Sequence, residues 1–101
     1  MTASNTITLG KALNLALDHA MAEDASVIVL GEDVADPQGG GVFKVSSGLS
    51  GKYGAGRVRS TPIAEQAIVG AAVGAAITGL RPVAEIMLMN FITVAMDQLV
   101  N

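Results

Sequence analysis

The chain contains no cysteine and no tryptophan, and only one histidine, His19. A disulfide framework and a thiolate metal site are therefore excluded, and so is any multi-histidine metal site within these residues. Aromatic residues make up 3% of the 101 residues. Basic residues are also few: six Lys and Arg are spread along the whole length, the net charge is −3 and the pI is about 4.8. No basic patch supports nucleic-acid binding. The first ten residues hold no Lys or Arg and no apolar core of a secretory signal, and the first arginine is Arg57, so no leader is expected. The longest apolar run, Ala67 to Leu80, has fourteen residues, broken by Thr78 and containing three glycines. It is short of the roughly 20 residues of a membrane span and fits a buried helix. The expectation is a protein of a bacterial-type cytoplasm, with neither membrane nor nucleic acid as partner.

What is present is apolar mass without rings. Hydrophobic residues make up 50%, charged residues 15%, and the mean hydropathy is +0.51. A disordered tail lacks such apolar content. Ala, Val, Leu, Ile and Met suit helices packed closely on a sheet.

Leu9, Ala12, Leu13, Ala16, Leu17, Ala20 and Met21 follow one helix face, with Thr8 as N-cap. Glu23-Asp24 ends that helix poorly, because acids oppose the C-terminal dipole. Val27 to Leu30 is apolar on both faces and reads as an interior parallel strand. Residues 34–60 carry loop signals at Pro37, Gly39 to Gly41, Ser46 to Gly48 and Gly51, with short extended pieces at Val42 to Val45 and Arg57 to Arg59 and a helical turn at Leu49 to Tyr53. Thr61 and Pro62 predict the cap and first position of a second helix that runs to about Thr78, with Gly79 as its stop. Val83 to Met89 predicts a second buried strand, and Asn90 the cap of a third helix still unfinished at Asn101. The alternation predicts an α/β fold, an open and mostly parallel sheet flanked by helices. The expected domain organisation is residues 1–101 as the N-terminal part of a single domain, incomplete at the C-terminus.

Several features invite a functional reading. Gly70 and Gly74, four apart in an apolar helix, suggest close approach of another backbone, either on the sheet or at a subunit contact. Glu65 stands in the first turn of that helix, as a solvated acid or as a buried acid aimed at a ligand. Glu32 and Asp33 follow a buried strand, where open α/β sheets bind ligands, although a solvated turn is equally simple. Gly39 to Gly41 lacks the spacing of a phosphate loop and reads as loop freedom; His19 reads as a surface residue; Met87, Met89 and Met96 read as core filling.

Taken in order, Val29-Leu30-Gly31-Glu32-Asp33-Val34-Ala35, Gly40-Gly41-Val42-Phe43-Lys44-Val45, Lys52-Tyr53-Gly54, Thr61-Pro62-Ile63-Ala64-Glu65-Gln66, Gly79-Leu80-Arg81-Pro82-Val83-Ala84-Glu85 and Asp97-Gln98-Leu99-Val100-Asn101 resemble the β subunits of thiamine-diphosphate-dependent 2-oxoacid dehydrogenases, of pyruvate, branched-chain and acetoin type. The resemblance implies a transketolase-like pyrimidine-binding domain. It implies that Glu65 is the catalytic acid, hydrogen-bonded to the cofactor's aminopyrimidine ring, where a carboxylate favours the imino tautomer that serves as internal base. Ile63 is implied to line the cofactor, Met87 to lie beside the ring and Phe91 to stack on it, within a pocket segment Glu85 to Phe91. Glu32 matches an acid near the active-site channel, and Gly70 and Gly74 a glycine repeat at the subunit contact. Ser60 stands where an Asp is common. The implied cofactor is thiamine diphosphate, with Mg²⁺ held mainly by a partner α subunit and no metal ligand here. The implied partners are that α subunit, a second β subunit (a heterotetramer) and a lipoyl-bearing acyltransferase. The implied activity is oxidative decarboxylation of a 2-oxoacid with acyl transfer to lipoyl, the present residues being inactive alone. Two other readings remain at this point: a ketol-transferring relative of the transketolase type, and a non-catalytic α/β assembly module.

Overall fold

The computed structural model describes residues 6–101. Three strands and four helices follow in the order α1 (Leu9–Glu23), β1 (Val27–Glu32), α2 (Leu49–Tyr53), β2 (Val58–Thr61), α3 (Glu65–Ile77), β3 (Arg81–Glu85) and α4 (Ile92–Val100). Short 3₁₀ turns lie at Asp36–Gln38 and Met89–Phe91. The sheet order is β2-β1-β3 and both pairings are parallel. The predicted open parallel α/β fold is therefore present.

β1 is central because its residues are apolar on both faces. Val29 stands opposite Val58 on one side and Val83 on the other. Val27 and Val29 join Met21 of α1, Val34, Leu49 of α2 and Val58 in one buried cluster. Ile28 and Leu30 turn to the opposite face, beside Ala71 and Ala75 of α3. α4 packs along α3 as a further layer.

The C-terminus of α1, which ends on acids, is covered from far away in sequence. The Arg57 guanidinium donates through Nη2 to the carbonyls of Met21, Asp24 and Val27 at 2.8–3.0 Å, so a cation covers the helix C-terminus. Asp24 itself accepts from the backbone N–H and hydroxyl of Ser26. α2 is fastened to α1 where Tyr53 Oη and Lys52 Nζ donate to Asp18.

Residues 33–48 are irregular but closely bonded. The Asp36 carboxylate accepts from Gly48 N, Gly51 N and Ser50 Oγ at 2.6–2.9 Å, and these bonds hold it below the usual carboxylate range. Asn14 of α1 donates to the carbonyls of Val45 and Ser47. Gly39, Gly40 and Gly41 all have positive φ, a specific path in place of the looseness read from their sequence. The extended piece expected at Val42 to Val45 is instead a turn, with Lys44 at φ 63°.

Three predicted boundaries shift. Thr61 is the last residue of β2, paired opposite Glu32, so it does not cap α3; the helix begins at Glu65 after Ala64. The second strand ends at Glu85, not Met89, and takes in Arg81 and Pro82; as an edge strand it is half-exposed. Asn90 lies inside a 3₁₀ turn, and α4 starts at Ile92 without a side-chain cap.

Candidate functional site

The C-terminal ends of the parallel strands gather carboxyl groups. Glu32 ends β1 and is buried, with 7% of its surface exposed; this excludes the solvated turn. Glu65 opens α3, after the short link that leaves β2 at Thr61. The Glu65 carboxyl lies close enough to that of Glu32 to disfavour its charge. The Glu65 carboxyl, burial and the charges of Glu65, Asp33 and Glu85 push Glu32 up to about 6. Oε1 of Glu32 is buried and has no partner among the described residues.

A third carboxyl, that of Glu85 at the end of β3, was implied by the resemblance only as the first residue of a pocket segment and given no role of its own. It is half-buried, burial alone raises it, and its Oε2 also lacks a partner among the described residues. The signal was available, since Glu85 ends an apolar strand just as Glu32 does. Gly31 lets the two strands approach here: a Cβ at Gly31 would lie 2.9 Å from the carbonyl oxygen of Glu85.

A cleft of about 610 Å³ opens in front of α3, lined among others by Ile63, Glu65, Gly70, Ala71, Val94 and Gln98. Ile63 is 85% exposed on its rim, so it does not shield Glu65 from water within this chain. Met87 and Phe91 are half-buried and are not among the residues that line this cleft; Met87 lies between β3 and the 3₁₀ turn, and Phe91 is the last residue of that turn. Met89 is 83% exposed and Met96 is exposed as well, contrary to core filling. A larger groove, about 1080 Å³, runs along β2 away from Glu65. Ser60, the departure from the family pattern, has work of its own there: Ser60 Oγ accepts from Ala35 N and donates to Gln38 Oε1. His19 is exposed and pairs with Glu23 on the surface of α1, away from the carboxyls.

The glycines of α3 part company. A Cβ at Gly70 would meet Gln98 Oε1 at 2.8 Å, so its near neighbour is α4 of the same chain. At Gly74 nothing lies within 4 Å, leaving that position open to another molecule. Gly74→Leu is therefore expected to leave the chain's own fold intact while weakening assembly of the full-length protein, a change that sedimentation at low concentration would reveal. An unchanged assembly mass would return Gly74 to a plain surface position.

Among the described residues no group of three or more His, Asp and Glu side chains is placed to hold a metal ion, and no helix is long and apolar enough to cross a membrane.

Residues 5–101 match the family described as "Transketolase, pyrimidine binding domain". The chain belongs to the transketolase pyrimidine-binding domain family. Within it, the domain is 57% identical over 86 residues to the pyruvate dehydrogenase E1 component subunit beta of Acholeplasma laidlawii, covering 85% of this chain and 26% of that protein. It is 50% identical over 95 residues to the mitochondrial 2-oxoisovalerate dehydrogenase subunit beta of Chaetomium thermophilum, covering 94% and 20%. It is also 50% identical over 99 residues to the mitochondrial pyruvate dehydrogenase E1 component subunit beta of Drosophila melanogaster, covering 98% and 27%. The chain thus spans from a fifth to just over a quarter of the length of these relatives.

The donor set of this pyrimidine-binding domain fits an aminopyrimidine. Such a ring offers N–H donors and a basic ring nitrogen, and the end of β1 carries the buried Glu32 carboxyl, one oxygen of which lacks a donor among the described residues, beside Glu65.

Proposed function

We propose that the chain is the pyrimidine-binding part of the β subunit of a thiamine-diphosphate-dependent 2-oxoacid dehydrogenase. The reading is carried by one observation: a buried Glu32 carboxyl beside the half-buried Glu65 at the strand ends of a domain up to 57% identical to pyruvate dehydrogenase E1 β subunits. When bound, the cofactor supplies the nucleophilic carbon and the electron sink for decarboxylation. The residues of this chain supply orientation and charge. Glu65 takes the ring nitrogen of the pyrimidine, and a carboxylate there favours the tautomer with a basic exocyclic nitrogen. Glu32, buried beside Glu65, restrains where that side chain can sit. Ile63, Met87 and Phe91 provide apolar walls that a partner surface completes, and exclusion of water strengthens the Glu65 bond.

The proposal extends to a heterotetramer with an α subunit that holds the diphosphate and Mg²⁺, a second β subunit near Gly74, a lipoyl-bearing acyltransferase, and a 2-oxoacid substrate such as pyruvate or a branched-chain acid. This chain is one part of that assembly and is expected to be inactive alone. The proposed compartment is a bacterial-type cytoplasm, while relatives include proteins named as mitochondrial.

The test is titration of the full-length β subunit with thiamine diphosphate and Mg²⁺, with and without the α subunit. Saturable binding that needs both subunits supports the proposal. Tight binding by the β subunit alone, or none by the pair, overturns it.

A further inference from the structure

Glu85 is a buried-side carboxyl with no task in the chemistry above. Its surroundings are unusual for an acid. A Cβ at Gly41 would lie 3.3 and 3.5 Å from its two carboxyl oxygens, so the Glu85 head group occupies the space that a side chain of the loop would fill. The nearest atom to that position, Ser46 Oγ at 3.2 Å, gives its proton to the Val34 carbonyl at 2.8 Å and has none for Glu85. The loop folds down over this point through Gly41 N to Asp33 O at 2.7 Å, Gly40 N to Ala35 O at 3.1 Å and Ser46 N to Gly40 O at 3.2 Å.

We propose that Glu85 is a positioning residue: its carboxyl, seated under Gly41, is a proton-dependent latch that holds the loop of residues 33–46 down on the strand ends beside Glu32. In its neutral form the head group packs under Gly41 at little electrostatic cost. As an anion it has no cation to meet. The charged group that senses it is Glu32 at the end of β1, another acid, and no cation offsets its burial. The loop's one cation, Lys44, is bonded to the Gly39 carbonyl at 2.8 Å. Burial raises the Glu85 carboxyl, so the seated form persists into weakly acidic solution and is lost as pH rises. The latch would thus let a single proton decide how firmly the loop covers Glu32, whatever fills the cleft.

Amide hydrogen exchange of the full-length assembled protein tests this, read at Gly40, Gly41 and Ser46 and corrected for intrinsic rates. In the wild type, protection of these amides should fall severalfold between about pH 5 and about pH 8. Glu85→Gln, neutral at every pH, should keep the low-pH protection throughout, within about twofold. Glu85→Ala should lose it at both ends. A wild type with flat protection, or a Glu85→Gln variant with the wild-type pH dependence, overturns the latch. If Glu85→Ala does not fold, the Glu85→Gln profile decides alone. Because exchange is read without cofactor or turnover, failure of the latch is distinguishable from failure of the proposed function.

Discussion

Glu65→Gln in the full-length assembled enzyme is expected to lower turnover by about 10²–10⁴-fold, the usual worth of a positioned acid–base group, while raising stability at neutral pH. The first effect follows from the proposed role, since an amide cannot give the pyrimidine nitrogen the charge-assisted bond of a carboxyl. The second follows from the pair. In the wild type Glu65 is the largest cause pushing Glu32 to about 6, above its unfolded value of about 4.3. The folded protein therefore binds more protons than the unfolded chain in that window. The stability associated with protonated Glu32 is complete below the unfolded value and is lost as pH rises through the folded one. Gln removes the like charge and can donate N–H to the Glu32 carboxylate. The titration of Glu32 then moves down toward the ordinary range, and the loss of stability on the way to pH 8 shrinks. Steady-state turnover together with melting curves at about pH 5 and about pH 8 would check both effects. A variant that turns over normally removes Glu65 from the chemistry. One that is inactive but no more stable at the higher pH than the wild type would dissolve the Glu32–Glu65 pair instead.

Local signals were legible in the sequence because their physics is local. Thr8 caps α1 through a bond to Lys11 N three residues on, and the apolar run of β1 needs no knowledge of its neighbours to be read as an interior strand. What the sequence left hidden depends on partners far along the chain. Thr61-Pro62 carries a helix-start pattern, yet Thr61 is held in the sheet by the pairing of β2 with β1, and that pairing decides where α3 begins. The Arg57 cap on α1 and the Asp36 bonds that shape the glycine loop cross more than ten residues, and no periodicity announces them. The candidate site divides in the same way. Glu65 and Glu32 are nameable from motif and strand end, but the effect of Glu65 on Glu32 emerges only when β1 and α3 are brought together. Glu85 escaped because its importance lies in being under Gly41, a relation between β3 and a loop that neither segment reveals.

The closest backbone contact at the site sets the remaining prediction. Gly31→Ala is expected to destabilise the protein by about 2–3 kcal/mol, in the range of overpacked cores, and to weaken cofactor binding as well. The added methyl would lie 2.9 Å from the Glu85 carbonyl oxygen, 3.0 Å from Glu85 Cβ and 3.1 Å from Val34 Cγ1. Two of these belong to β3 at or beside its backbone, where Gly31 and Glu85 are partners in the ladder. Neither yields by a side-chain rotation, so the strand ends must separate. That separation carries Glu32, the next residue on β1, away from Glu65, which is why binding should suffer along with stability. Gly31 has an ordinary φ, so its need for glycine comes from close approach and not from backbone strain. Gly74→Ala provides the contrast: with nothing within 4 Å of its Cβ position and a helical backbone, it should stabilise the chain by up to about 1 kcal/mol. Denaturant unfolding of the two variants beside the wild type separates these expectations. If Gly31→Ala unfolds at the same denaturant midpoint as the wild type, the two strands do not constrain each other at this point, and the carboxyl cluster is not held by the β1–β3 contact.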